Sequence, residues 1–330
     1  MEASLIELVE AADFNGLLAA VDRLCATREW EHLLDLRATC EAAVERGKQL
    51  WPIAEHIDYR IALEAPPSYA GDVLERPGGR FILGPLTEVA ASTHTWDELA
   101  PHIDVPQMAA YVAQERVLRG EVLTGDPRAH QEVLELPLEL QEWEPTYALA
   151  MFKSNYVEVG EPWTPKEPLS QIGRRTAPEI DEVDKVDALL DLVQPWTTES
   201  NGAARAIAVK GDAVAAASEL SFSRLRVGPL SVQEALHRMA WAAASGGAHG
   251  RRRGAAFGRF LTHYAGATLA GLEWPAEPTD LGAALARLEW FYWDEAEPET
   301  GWVLRVAVED PSSGWSVAIG ASDVLEEETE

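Results

Sequence analysis

The sequence predicts an α+β fold in which helices predominate: a helical, repeat-like amino-terminal domain, followed by a small mixed sheet packed on a helical pair. Three observations predict it. Apolar residues recur every three or four positions from Ser4 to Glu64, the spacing shortens to two beyond Ala203, and proline and glycine gather where one pattern gives way to the other. With 330 residues, 47% hydrophobic and 25% charged, the chain is long enough for two cores and ordinary enough in composition to fold.

The first helices are marked by Leu5, Leu8 and Val9, then by Leu17, Val21 and Leu24, then by Leu33, Leu36 and Val44. Asp13 ahead of FNGLLAAV and Trp51-Pro52 after Gly47 punctuate them. Cys25 and Cys40 lie on successive helices of this series and read as small buried core residues. A Pro- and Gly-rich interval from Pro66 to Gly79 interrupts the series, which resumes at Leu86 and runs through TWDELAPHI and DVPQMAAYVAQERVLRG. Trp30-Glu31-His32-Leu33 and Trp96-Asp97-Glu98-Leu99 stand 66 residues apart, twice a period of about 33 that is used by stacked helical hairpins.

Residues 1–160 thus form the expected helical domain, and 161–202 a Pro-rich acidic connector. The stretch LELPLELQEWEPTYALAMF reads as an exposed connecting segment with apolar anchors, EPWTPKEPLSQIGRRTAPEI as a surface crossing, and Glu179 to Val193 as an acidic amphipathic helix. Residues 203–330 form the α+β domain. ARAIAVKG and SRLRVGPL read as strands, SVQEALHRMAWAAAS and RRRGAAFGRFLTHYAGATLAGL as consecutive helices, and LEWFYW as an aromatic strand with Leu288, Trp290 and Tyr292 on one side and Phe291 and Trp293 on the other. WVLRVAVED, the turn PSSG and WSVAIGASD make a β-hairpin, and the acidic tail DVLEEETE follows.

Charge is distributed unevenly. The chain carries a net −28, which argues against attraction to nucleic acid or to an anionic membrane. Yet between Ala203 and Leu272 nine basic residues outnumber three acidic ones, so that this segment is positive and the remainder more negative than the whole. Gly250, Gly254, Gly258, Thr262, Gly266 and Ala270 fall four apart, a thin helical stripe suited to close packing against Ala235, Met239 and Ala242 to Ala244, with Phe257, Phe260, Leu261 and Tyr264 filling the core beside it. Arg251, Arg252 and Arg253 at the start of that helix oppose its dipole and call for a negative partner. That partner is either the protein's own acidic tail or connector, or an external phosphate or carboxylate held with Gly246, Gly247 and His249. On helical spacing Arg252, Arg259 and His263 share a face and are the expected direct contacts, so the candidate ligand-binding set is His249, Arg251, Arg252, Arg253, Arg259 and His263.

His237, His249 and His263 match no compact metal-ligand spacing, and no metal or other cofactor is expected. The paired carboxylates and rings of Glu142 to Glu144 and of Leu288 to Glu299 suit a core or an interface better than sugar hydrolysis. No phosphate-binding loop, dinucleotide fingerprint, zinc-protease pair or nucleophile elbow is present, and the expectation leans away from an enzyme. The opening residues carry no basic start and no unbroken apolar run, which leads one to expect a cytoplasmic protein.

At WDELAPHI, QERVLRGE, LELPLELQEWEPTYALA and HRMAWAAASGGAHGRRRGAAFGRF the chain resembles members of an uncharacterised actinobacterial family of hypothetical proteins. The resemblance implies no activity and carries over no catalytic residue. The functional expectation is an intracellular interaction or scaffold protein with an acidic surface, bound to a protein partner or to itself. The alternative is a small-ligand sensor or enzyme centred on His249 and Arg251 to Arg253.

Overall fold

A computed structural model describes residues 3–76, 82–162, 164, 169–221, 224–295 and 300–324. The chain divides into two units, one of residues 1–133 with 150–158, the other of residues 134–149 with 159–330. The expected connector 161–202 therefore belongs to the body of the second unit. Much of EPWTPKEP and most of the acidic tail lie outside the described residues.

The first unit is built from α1 (Ala3–Ala11), α2 (Phe14–Thr27), α3 (Trp30–Glu45) and α4 (Trp51–Glu64). These are followed by α5 (Pro67–Leu74), α6 (Leu86–Thr93), α7 (Trp96–Leu99) and α8 (Pro106–Leu118). Each boundary has a local cause. Asp13 caps α2 by accepting from Gly16 N at 3.0 Å, and a capping box of Thr95 and Glu98 opens α7. The two tryptophans of the 66-residue spacing both begin helices, α3 of sixteen residues and α7 of four. Leu17, Val21, Leu33, Leu36, Ile57 and Ile61 are fully buried. Cys25 and Cys40 join this interior as free thiols, and burial pushes each thiol up to about 11, so neither is a thiolate at neutral pH. Ion pairs are enclosed with them: Asp58 accepts from Arg37 Nε at 2.5 Å and from Arg76 Nη1 at 2.8 Å. Two short strands, β1 (Ala150–Phe152) and β2 (Val157–Val159), follow later in the chain.

The second unit contains β3 (Ser170–Gln171), α9 (Val183–Asp191), α10 (Gln194–Thr198), β4 (Ala203–Val209), α11 (Ala213–Leu220) and β5 (Arg226–Leu230). It continues with α12 (Val232–Ala244), α13 (Ala255–Leu269), α14 (Pro278–Leu285), β6 (Glu289–Asp294), β7 (Trp302–Asp310) and β8 (Trp315–Asp323). The six strands stand in the order β3-β5-β6-β7-β8-β4, and every neighbouring pair is antiparallel. The expected mixed sheet is thus corrected. The helical crossover from β4 through α11 leads to β5, with β6, β7 and β8 between the two strands, and the one from β5 through α12, α13 and α14 returns to a neighbour, β6, in the antiparallel sense.

Alternation along the strands sends side chains into two cores. Leu304, Val306, Val308, Val317 and Ile319 face the larger one, with residues of α9, α12, α13 and α14. Ala307, Ala318 and Trp293 face a smaller core covered by α11. Trp290 and Tyr292 lie on the first side while Phe291 and Trp293 lie on the second, as the strand pattern predicts. A bidentate pair of Arg226 with Asp294, 2.7 Å at each contact, ties β5 to β6 across the register. Among the described residues no helix is long and apolar enough to cross a membrane.

Candidate functional site

The arginine island centres on the turn between α12 and α13. A capping box of Ser231 and Glu234 starts α12, and α12 ends at Ser245, whose Oγ donates to Ala242 O at 2.9 Å and accepts from Trp196 Nε1 at 3.0 Å. The chain then turns through Gly247, at φ 77°, where any side chain would collide with Asp323 Oδ2. Ala248 N donates to that same Oδ2 at 2.6 Å, and His249 N donates to Ser200 Oγ at 3.0 Å. Arg253 forms an ion pair with Glu199.

The four-residue glycine spacing predicts a helix already running at Arg251, but α13 begins at Ala255. Arg253 N and Gly254 N both donate back to Ala244 O, at 2.8 and 3.3 Å, and Gly254 sits at φ 95°, so the chain is still reversing direction through the three arginines. Arg252 therefore does not share a helical face with Arg259 and His263. Arg251 is exposed, Arg252 and Arg253 are half-buried, and Arg251 and Arg252 are both engaged within the protein.

Arg259 and His263, four residues apart on α13, do come together, and they do so inside the unit. Arg259 has 0% and His263 3% of its surface exposed. The partner is Glu144, on the segment that precedes β1. Arg259 Nε donates to Glu144 Oε2 at 2.8 Å and Nη2 to Oε1 at 2.6 Å. Further Arg259 bonds reach Pro137 O at 2.9 Å and Glu139 O at 3.0 Å, and Tyr147 Oη donates to Glu144 Oε2 at 2.5 Å. Burial opposes the Glu144 anion, but the hydrogen bonds from Arg259 outweigh it and hold the carboxyl well below the usual range. Burial likewise lowers His263, leaving a neutral imidazole whose Nε2 lies 3.1 Å from Glu144 Oε2 without the alignment of a hydrogen bond. The Trp143 ring lies 5.0 Å from His263 between centroids, and its Nε1 donates to Pro278 O at 3.0 Å. His237 Nδ1 meets Thr146 O at 2.7 Å.

The segment 134–149 is thus fastened along α12, α13 and the start of α14 by polar bonds, with Leu136 fully buried. In consequence polar Arg259 and His263 hold the inner face of α13, while Phe257, Phe260, Leu261 and Tyr264 are half-buried beside it. Two groups that complete this arrangement, Glu144 and Asp323, stood in the sequence only within the EWE stretch and as the first residue of the acidic tail, and neither was in the candidate ligand-binding set. The signal for Glu144 was indirect: an arginine next to a thin, core-facing helical stripe must find a carboxylate if it is buried. Chemically the constellation is a clamp centred on Glu144, which meets Arg259, His263 and Tyr147 and balances the guanidinium charge.

The family model whose description reads "Family of unknown function (DUF6183)" matches residues 15–319. No curated protein and no solved structure matches the chain.

Proposed function

The chain belongs to that family of unknown function, and on this premise we propose that it is a non-enzymatic, intracellular interaction protein that offers an acidic surface to a basic protein partner. The observation that carries the reading is the internal use of the arginine island. Glu144 is joined to Arg259 and Glu199 to Arg253, while 55 carboxylates are set against 27 lysines and arginines in the whole chain. Cations matched from within leave the field outside the molecule dominated by the excess carboxylate, which steers and orients a partner of opposite sign.

The test is affinity capture with the full chain at about 0.15 M and about 1 M salt, conditions that span strong to nearly complete screening of exposed charges. A basic protein retained in stoichiometric amount at the lower salt and released at the higher one is the expected result. Retention indifferent to salt, or no retention at all, overturns the reading. The rival is a small-anion sensor on the loop bearing His249 and Arg251 to Arg253, favoured by the exposure of Arg251. Phosphate, nucleotides and polyphosphate would then raise the melting temperature, and Arg252→Ala would abolish the rise.

A further inference from the structure

A groove of about 550 Å³ opens in the second unit where α13 and α14 end beside the turn joining β7 to β8. Its volume lies within the range of about 300–1,000 Å³ typical of small-molecule sites. Three features of its wall differ in chemistry. Leu288 and Trp315, each with less than a tenth of its surface exposed, give it a small apolar part. Arg287 brings a guanidinium on an exposed side chain whose hydrogen bond goes back to Ala283 O of its own helix, at 3.3 Å. Asp310 brings a carboxylate.

The carboxylate is prepared for a ligand by the turn itself. Ser312 N at 2.9 Å, Ser312 Oγ at 2.6 Å and Ser313 N at 3.3 Å all donate to Asp310 Oδ1, which leaves Oδ2 outside the turn. The hydrogen bonds from Ser312 also lower the Asp310 pKa, so the group is an anion at neutral pH. The end of α13 adds to the negative side. Gly271, at φ 71°, lets Leu272 N reach Ala267 O at 2.9 Å and Gly271 N reach Thr268 O at 3.1 Å, a Schellman closure that leaves the carbonyls of Leu269 and Ala270 outside it. Those carbonyls carry the negative end of the helix dipole to the groove.

The remaining charge, Lys185, is already neutralised. It pairs with Glu182 and lies over the Trp315 ring at 5.0 Å. Arg287 and Asp310 form no ion pair with each other or with any other described residue. The groove therefore presents one cation and one anion, separately, beside a small apolar part. A dianion such as phosphate would be repelled by Asp310 and the helix end, and a simple cation by Arg287.

We propose that this groove binds a small zwitterion of the α-amino-acid type with an apolar side chain. The carboxylate pairs with Arg287, the ammonium lies against Asp310 Oδ2 and the end of α13, and the side chain packs on the exposed edges of Leu288 and Trp315. The site is independent of the acidic-surface reading.

Equilibrium dialysis of the full chain against labelled L-leucine and L-phenylalanine tests it, with phenylpropanoate, phenylethylamine and inorganic phosphate as probes that each lack one charge or the apolar part. Two variants accompany it. Arg287→Gln changes an exposed side chain, and Asp310→Asn keeps the Oδ1 acceptor that the turn requires while removing the charge. The expected result is saturable amino-acid binding weakened about tenfold or more by each variant, with the singly charged analogues bound less well than phenylalanine. Failure of both amino acids to bind at about 10 mM overturns the proposal. So does binding that neither variant alters, and so does binding of phosphate or phenylpropanoate that Asp310→Asn strengthens, which would make the groove a plain anion site.

Discussion

Replacing Glu144 by Gln leaves the guanidinium of Arg259 buried with its charge unmatched, and breaking a buried pair from one side costs about 3–5 kcal/mol. Urea denaturation of Glu144→Gln should show that loss, whereas Glu144→Leu combined with Arg259→Met, which removes both charges, should lose less than Glu144→Gln alone. The pH dependence has a definite sign. His263 is held below its ordinary 6.5, so between the two values the unfolded chain takes up more protons than the folded one. Its contribution to stability is complete above pH 6.5 and falls as the pH drops below it. Glu144, held below its ordinary 4.5, contributes above that value and loses its contribution only at lower pH. Denaturation midpoints measured from pH 7.5 down to about 5 should therefore decline, and His263→Gln should flatten the curve, leaving the smaller decline owed to His56, which burial shifts in the same direction. The pairing of Arg259 with His263 was legible from their spacing of four. Glu144 was not, because 115 residues separate it from Arg259 and nothing local in EWEP marks one of its two glutamates as the inward one.

At the scale of elements, the thin surface of α13 is real where it meets α12. A Cβ at Gly258 would stand 2.5 Å from Ala240 O, a backbone atom that cannot move aside, so Gly258→Ala should cost about 1–3 kcal/mol by overpacking. Gly266 belongs to the same stripe but faces Leu285 Cδ2 at 3.2 Å, the end of a side chain that can shift. There Gly→Ala should be neutral or gain up to about 1 kcal/mol from helix propensity, and the two variants measured side by side in urea distinguish packing from propensity. Strands were legible because alternation reports faces directly, down to the division of Trp290 and Tyr292 from Phe291 and Trp293. The helix α11 was missed although Asp212, which accepts from Ala215 N at 2.9 Å, is an N-cap residue in front of an alanine-rich run. A run of alanines has no apolar period to read. Missing α11 made the sheet look one-sided, when helices cover both of its faces. The start of α13 was placed too early for the opposite reason: the glycine period continues through Gly250 and Gly254, where the backbone is a turn.

For the molecule as a whole, a net charge of −28 is a self-repulsion that counterions relieve. Calorimetric melting temperatures should rise as salt is raised from about 0.01 to about 0.15 M, where the screening length falls from about 30 to about 8 Å. The path of the backbone imposes a further condition. It leaves the first unit after Val133, supplies residues 134–149 to the second, returns for Ala150 to Glu158, and departs again. Within the first unit Phe152 meets Tyr59 edge-on at 6.3 Å, and within the second Glu144 meets Arg259, so each unit is completed by a piece encoded amid the other. Residues 159–330 expressed alone should therefore lack the sharp cooperative unfolding of the intact chain, and a peptide of residues 134–149 added back should restore it. Seen as heredity, the two halves are not cassettes: a single crossover in the gene, wherever it falls between them, hands on at least one half with a part missing, so no one break yields two complete halves.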